Sequence, residues 1–348
     1  MKTDDFFASL KKGSIQSCYL FEGEEEYSKE SALQQLRTAV LTPPMGMMNE
    51  TVLEDPDAQT LIAVAETLPL MADKRLVVVR KSAWLAGGKK DDAKADRKGE
   101  TDADKVAAYL GNLPGTTCLV FYVRGKSNGT RKLHKTISKL GGLVSFEPLT
   151  HAGLVKWIAR ELKYYGKQIA QRTAEQLIFT SGRELTGLKG EINKVAAYAG
   201  EENVVEPAHI EAICTPTVEY KVFDLADAVA QGNSAKAITL MNTLLREGES
   251  RLMLLSLLQR HYRQLFFAYL LSDGGATGGS IAQELGVPPF VADRLQTTAR
   301  RFSADTLKWA YDYCVDAEFR IKSGQISEEG SLEQVVFALL AAGKQADV

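Results

Sequence analysis

A parallel α/β domain followed by an all-helical region is the fold class predicted for this chain of 348 residues. Three observations carry that expectation. β-branched apolar runs alternate with helix-period segments through the first 150 residues, the pattern of a parallel sheet covered on both faces. The stretch CYLFEGEEEYSKESALQQL, residues 18–36, reads as a strand, a glycine turn and a helix. After Pro148 the strand-like runs stop, and the later segments have helical spacing.

Taken in order, Ser17 to Glu22 is an apolar run suited to a buried strand, and Tyr27 to Leu41 a helix ended by Pro43-Pro44. NETVLED reads as the second strand. Asp55 followed by Pro56 reads as an N-cap with proline in the first turn, opening a helix over Asp57–Thr67. RLVVVRKS, TCLVFYVR and GLVSFEP supply the third, fourth and fifth strands, with helices near 101–112 and 130–140 between them. Residues 86–104 are charged and nearly free of large apolar groups, so a mobile, solvated loop is expected there. Beyond Thr150, helices are expected to Tyr165, with Gly166 as its C-cap, and near 171–180, 184–199 and 207–213. CTPTVEYK reads as a linker. Helices follow over 222–231, 234–246, 250–272, 278–285, 288–300, 304–323 and 329–342. In the most apolar of these, Leu252, Leu255, Leu258, Tyr262, Leu265, Phe266 and Tyr269 form a wide stripe that fits either a core or a contact with neighbouring subunits.

Composition narrows the function classes. The net charge of −2 gives no global field toward nucleic acid or anionic membranes. No apolar run reaches the roughly 20 residues of a membrane span, and the polar N-terminus does not resemble a signal peptide. Cys18, Cys118, Cys214 and Cys314 lie far apart without metal-ligand spacing, as reduced thiols of a cytoplasmic protein would. His134, His151, His209 and His261 have no motif partners and read as surface or helix-end residues. No nucleophile elbow or paired catalytic carboxylates stand out, so no catalytic residue, metal or cofactor is expected.

The strand–glycine–helix unit is where a phosphate loop would lie. Such a loop needs G-x-x-x-x-G-K-[ST], whose backbone N–H groups, lysine and hydroxyl hold phosphates and Mg²⁺. Here Gly23 is followed by Glu24, Glu25 and Glu26, and the segment is read as lacking the second glycine, a lysine at the critical place and the Lys-Ser/Thr pair. Carboxylates there repel a triphosphate but suit the first turn of a helix. The third and fourth strands end in Arg80-Lys81 and Arg124–Lys126, where Mg²⁺-binding acids would be needed. The turn is therefore expected to keep its architectural role without binding phosphate.

AETLPLMADKRLVVV, residues 65–79, is unusual. Pro69 halts the preceding helix, and Leu68, Leu70 and Met71 fall on a short connection. Large apolar side chains on a loop fit either a protruding plug for a partner's pocket or a return to the core. Lys126, Arg131, Lys132, Lys135 and Lys139 gather around one predicted helix and fit either DNA phosphate contacts or ordinary solvation.

At this point the chain resembles a known family. YLFEGEEEY, TLPLMADKRLVVV, EINKVAAYAG, VFDLADAVAQGN, LLREGES, LLQRHYRQL and ARRFSADTLKWAYDYCVDAEFRIKSG occur in the order and spacing of the delta subunit of the bacterial DNA polymerase III clamp loader. The resemblance implies three domains: a RecA-like, AAA+-type parallel-sheet domain over 1–149, a small helical lid over 150–215 and a helical collar over 216–348. It implies a subunit without ATPase activity that binds and opens the ring-shaped sliding clamp (the beta subunit) for loading onto primed DNA. Its partners would be gamma/tau ATPase subunits and delta-prime, met through the collar, with no membrane involved. The family's clamp-contacting pair falls on Leu70 and Met71, supported by Leu68 and Pro69. Many members carry an aromatic where this chain has Met71. Two other readings stay open from the residues: a degenerate nucleotide-binding switch, and a DNA-binding adaptor in repair or restart.

Overall fold

The computed structural model describes residues 1, 3–41, 46–85 and 101–345. The chain divides into two compact units, Met1–Thr150 and His151–Val348. Among the described residues no helix is long and apolar enough to cross a membrane.

The first unit is built on five strands, β1 (Cys18–Glu22), β2 (Glu50–Glu54), β3 (Arg75–Arg80), β4 (Thr117–Tyr122) and β5 (Leu143–Ser145). Their spatial order is β2-β3-β4-β1-β5, and every pairing is parallel, the AAA+-like arrangement implied by the resemblance. Side chains alternate across the sheet because the strand period is two. Tyr19, Phe21, Leu76, Val78, Cys118 and Val120 enter one core, with residues of α1 (Thr3–Lys11) and α2 (Glu26–Val40). Cys18, Leu20, Val77, Val79, Leu119 and Phe121 enter the other, with residues of α3 (Ala58–Glu66), α4 (Asp102–Tyr109) and α5 (Lys132–Lys139). Both faces are covered, which is why the strands read as continuous apolar runs. α1 is a helix that the sequence reading passed over; its Phe6 is fully buried and packs edge-on against Tyr19 and Phe21.

Local expectations in this unit are corrected. Asp57, not Asp55, caps α3, accepting from the Thr60 N–H at 2.7 Å. Asp55 instead takes a left-handed φ of 43° and ties two loops together: its N–H donates to the Arg80 carbonyl and its carboxylate accepts from the Ala83 N–H, both at 3.0 Å. The expected loop over 86–104 does not include 101–104, where Thr101 and Asp104 form the capping box of α4; residues 86–100 lie outside the described residues, as do Pro43 and Pro44.

In the second unit, α6 (His151–Lys163), α7 (Gln171–Ser181), α8 (Leu185–Tyr198) and α9 (Pro207–Ile213) are accompanied by a two-stranded parallel ribbon, β6 (Gln168–Ile169) and β7 (Val204–Val205). Strands therefore do continue past Pro148; two residues are too few to show a period. The predicted linker at 214–221 is partly helical: Thr217 caps α10 (Val218–Ala230) through the Tyr220 N–H. Helices α11 (Ser234–Arg246), α12 (Arg251–Asp273), α13 (Gly278–Leu285), α14 (Pro289–Ala299), α15 (Ala304–Lys322) and α16 (Ser331–Gln345) complete the unit. Leu255, Leu258, Tyr262 and Leu265 of the apolar stripe are buried in the core these helices share.

That core encloses polar groups. Asp227 is 5% exposed and accepts from Arg294 Nε at 2.6 Å and Thr298 Oγ1 at 3.0 Å. Burial raises the Asp227 pKa while Arg294 opposes the shift. His261 is a correction to the surface assignment. It is buried mid-helix, its ring 4.5 Å from that of Phe223 and its Nε2 without a partner among the described residues. Burial, reinforced by Arg294 and Arg260, pushes its pKa down from the ordinary 6.5 to about 3.

The unfolded chain protonates His261 below pH 6.5 while the folded chain does not until near pH 3, so this residue's contribution is intact above 6.5 and declines on acidification. Between pH 6.5 and 5 the decline is about 2 kcal/mol at most, and His261→Leu is expected to flatten it in urea-unfolding midpoints measured at both pH values. At the end of β1, Gly23 has φ 111° and its N–H donates to the Gly125 carbonyl at 2.8 Å; an added Cβ would lie 2.2 Å from the Phe146 carbonyl oxygen. Gly23→Ala is expected to lower stability by about 2–4 kcal/mol, and an unchanged unfolding midpoint would count against this close approach.

Candidate functional site

The connection between α3 and β3 forms an exposed apolar tip. The helix stops because Pro69 disfavours helical backbone at Leu68, and Thr67 closes it in an extended conformation. Leu68, Leu70 and Met71 are 77, 51 and 85% exposed. None of the three folds back into the core.

Buried polar groups hold the tip. Asn49, 3% exposed, grips Leu70 from both sides: its Oδ1 accepts from the Leu70 N–H at 2.6 Å and its Nδ2 donates to the Leu70 carbonyl at 3.0 Å. Arg75, buried at the start of β3, donates to the Thr67 carbonyl at 3.0 Å and to Thr51 Oγ1 at 2.9 Å. Burial lowers the Arg75 pKa. Met71 takes φ 48°, uncommon for a non-glycine residue and a conformation found at binding sites. Beside the tip, a single 3-10 turn over Gly46–Asn49 presents Met47 and Met48, 88 and 67% exposed. The sequence reading missed these two; the signal was a pair of large apolar residues next to a polar strand start.

The phosphate-loop position is filled from within. Glu25 precedes α2 without a side-chain cap, and its N–H donates to the Phe146 carbonyl at 3.1 Å. Counted from Gly23, Lys29 does stand at the place of the phosphate-loop lysine, with Ser28 and Glu30 replacing the second glycine and the hydroxyl residue. That corrects the sequence reading. The structure shows Lys29 otherwise engaged: it is fully buried, donates to Glu26 Oε1 at 2.6 Å and to the Val123 carbonyl at 2.8 Å, and lies over the Tyr122 ring. Glu26 also accepts from the Tyr122 hydroxyl at 2.9 Å. Burial, with Glu26 close by, raises the Tyr122 pKa. Of the triplet, Glu26 thus binds the lysine, although its side chain, like that of Glu24, is exposed.

The basic residues do not converge. Lys132 and Lys135 lie on the exposed face of α5, opposite buried Leu133 and Ile137, and Arg131 precedes the helix as its N-cap residue. Lys132 pairs with Asp104 at 3.5 Å, and Lys126, on the loop after β4, pairs with Glu147 at 3.2 Å. Among the described residues no cluster of His, Cys, Asp or Glu is arranged to hold a metal ion.

Comparison with known proteins gives a consistent answer. The family model for the DNA polymerase III delta subunit matches residues 19–147, and the model for the C-terminal domain of the same subunit matches 219–339. The chain is 23% identical over 346 residues to DNA polymerase III subunit delta of Bacillus subtilis (strain 168), covering 99% of this chain and 98% of the relative. It is 21% identical over 285 residues to the probable DNA polymerase III subunit delta of Aquifex aeolicus (strain VF5), covering 81% and 78%. Among solved structures, the Bacillus subtilis DNA clamp loader delta protein shares the fold, with a TM-score of 0.56 at 22% identity over 97% of this chain and 99% of that one. With two matched models that together span most of its length, the chain belongs to the DNA polymerase III delta subunit family.

Proposed function

We propose that this member of the DNA polymerase III clamp loader binds the sliding clamp through Leu68, Leu70 and Met71 and holds one interface of the ring open, without hydrolysing ATP itself. The observation that carries the reading is the exposed apolar tip, fixed in position by Asn49 and Arg75. Ordinary surface loops do not hold three large apolar side chains in water by buried polar bonds. A leucine and a methionine fit an apolar pocket of another protein, and the flexible thioether adapts to its shape. Met47 and Met48 would rest on the rim of the same contact.

Opening is a matter of differential affinity. The tip favours the open ring only to the extent that it binds that state more tightly than the closed one. The protein does not need a triphosphate for this, and the self-satisfied Lys29 supports a chain that leaves nucleotide to its neighbours. In this reading the gamma/tau ATPase subunits and delta-prime meet the helices from residue 216 onward as a collar, residues 150–215 form the lid, and the assembly acts on primed DNA in the cytoplasm. Lys126, Arg131, Lys132 and Lys135 would make at most auxiliary phosphate contacts.

The decisive measurement is binding of the purified chain to its cognate clamp without ATP. Leu70→Ala/Met71→Ala is expected to weaken binding by about 100-fold or more, about 3 kcal/mol, with an unchanged unfolding midpoint. No binding by the folded wild-type chain would overturn the reading. Asn49→Ala leaves the tip side chains in place but removes their anchor. A loss of about 1–2 kcal/mol in stability is expected, with about tenfold weaker clamp binding, and Asn49→Asp, which keeps the acceptor for the Leu70 N–H, should fall between.

A further inference from the structure

The carboxyl ends of β3 and β4 open on a cleft of about 510 Å³. Parallel α/β sheets gather ligands along this edge. The cleft is lined by Arg80, Lys81, Ser82, Arg124 and Lys126 against a single carboxylate, Glu54, with Tyr122 and Val123 also contributing to its wall. Where a nucleotide-hydrolysing relative would need acids for Mg²⁺, this chain has four basic side chains, three of them paired with carboxylates.

Two of these residues have bonding capacity to spare. Ser82 is 4% exposed, and its hydroxyl is buried without a hydrogen-bond partner among the described residues. The loop that carries it is fixed on both sides by Asp55, through the Arg80 carbonyl and the Ala83 N–H, and Lys81 is held at a left-handed φ of 55°. A buried hydroxyl left unpaired by such a rigid loop is costly unless something accepts from it. Arg124 is exposed, and its guanidinium has no partner among the described residues. The other cations are paired: Arg80 with Glu30 at 3.1 Å, Lys81 with Glu54 at 2.8 Å and Lys126 with Glu147 at 3.2 Å. The two lysine pairs are more than half exposed on both sides and therefore weak, so an incoming anion can exchange for the carboxylates.

We propose that this cleft binds a small anion carrying linked phosphate groups, with the Ser82 hydroxyl donating to a phosphate oxygen and Arg124 and Arg80 bracketing the charge. Guanidinium groups match phosphate geometry and stay charged. The volume lies in the range of small-molecule sites, which favours a compact ligand over a nucleic-acid strand. The cleft adjoins the filled phosphate-loop position, sharing Tyr122 and Val123 with the surroundings of Lys29, and the proposal does not rest on clamp docking.

The test is calorimetric titration of the full chain with sodium pyrophosphate, ATP and a 20-nucleotide single strand at constant ionic strength. Saturable pyrophosphate binding is expected, weakened about tenfold by Arg124→Ala and severalfold by Ser82→Ala, and unchanged by Lys139→Ala on the far end of α5. ATP binding with the same variant pattern would identify a nucleotide as the source of the phosphates, and pyrophosphate binding alone an inorganic one. Absence of saturable binding, equal weakening by Lys139→Ala, or binding of the single strand only would overturn the proposal. Unfolding midpoints of each variant separate loss of the site from loss of the fold.

Discussion

A buried ammonium group must be surrounded by acceptors, and much of the first unit's upper edge is arranged around that need. Lys29 draws a carboxylate from its own helix, a carbonyl from the end of β4 and the face of an aromatic ring. Removing the Glu26 carboxylate would leave a fully buried ammonium without its counter-charge. The arrangement ties α2 to β4, sets Tyr122 in place and fixes where the loop toward Gly125 begins. The strand–turn–helix unit thus serves as a structural joint between α2 and the end of β4. The lysine of that unit survives, and its charge is used inside the protein.

The tip obeys a related logic with the signs exchanged. There the exposed groups are apolar and the groups that hold them are polar and buried. Asn49 and Arg75 satisfy backbone atoms of a segment that has no regular secondary structure of its own. Backbone groups left unbonded near the core would be costly, so these two side chains make a non-helical, non-strand connection stable beside an edge strand. Leu68, Leu70 and Met71 project from a base that is as well bonded as a strand.

Much of this was legible in the sequence, for physical reasons that differ by element. The parallel sheet announced itself because strands buried on both faces must be apolar throughout, as in RLVVVRKS. The long helices from α10 onward showed a 3.6-residue period because each buries one broad face. The tip was visible as large apolar residues in a place where polar ones are expected. Other features left no such trace. The Asn49–Leu70 bonds join residues 21 positions apart through backbone atoms, which carry no side-chain pattern. Two aspartates flank Pro56, and only geometry tells which one caps. The burial of His261 is a tertiary effect, produced by α12 running through the middle of its unit. Lys29 was available to simple counting from Gly23, but that it is consumed by Glu26 and Val123 is a matter of packing.

Under the proposed clamp contact, the left-handed backbone at Met71 has a consequence for how the tip would meet its partner. A segment already locked into an uncommon conformation loses little further freedom on contact, because its ordering entropy was lost on folding. Encounter then resembles the seating of a rigid key, with association limited by orientation and diffusion. The same lock narrows the side chains the position tolerates: β-branched residues strain in that region of backbone space, so the loop's geometry would constrain the chemistry offered to the proposed partner as much as that partner's pocket would.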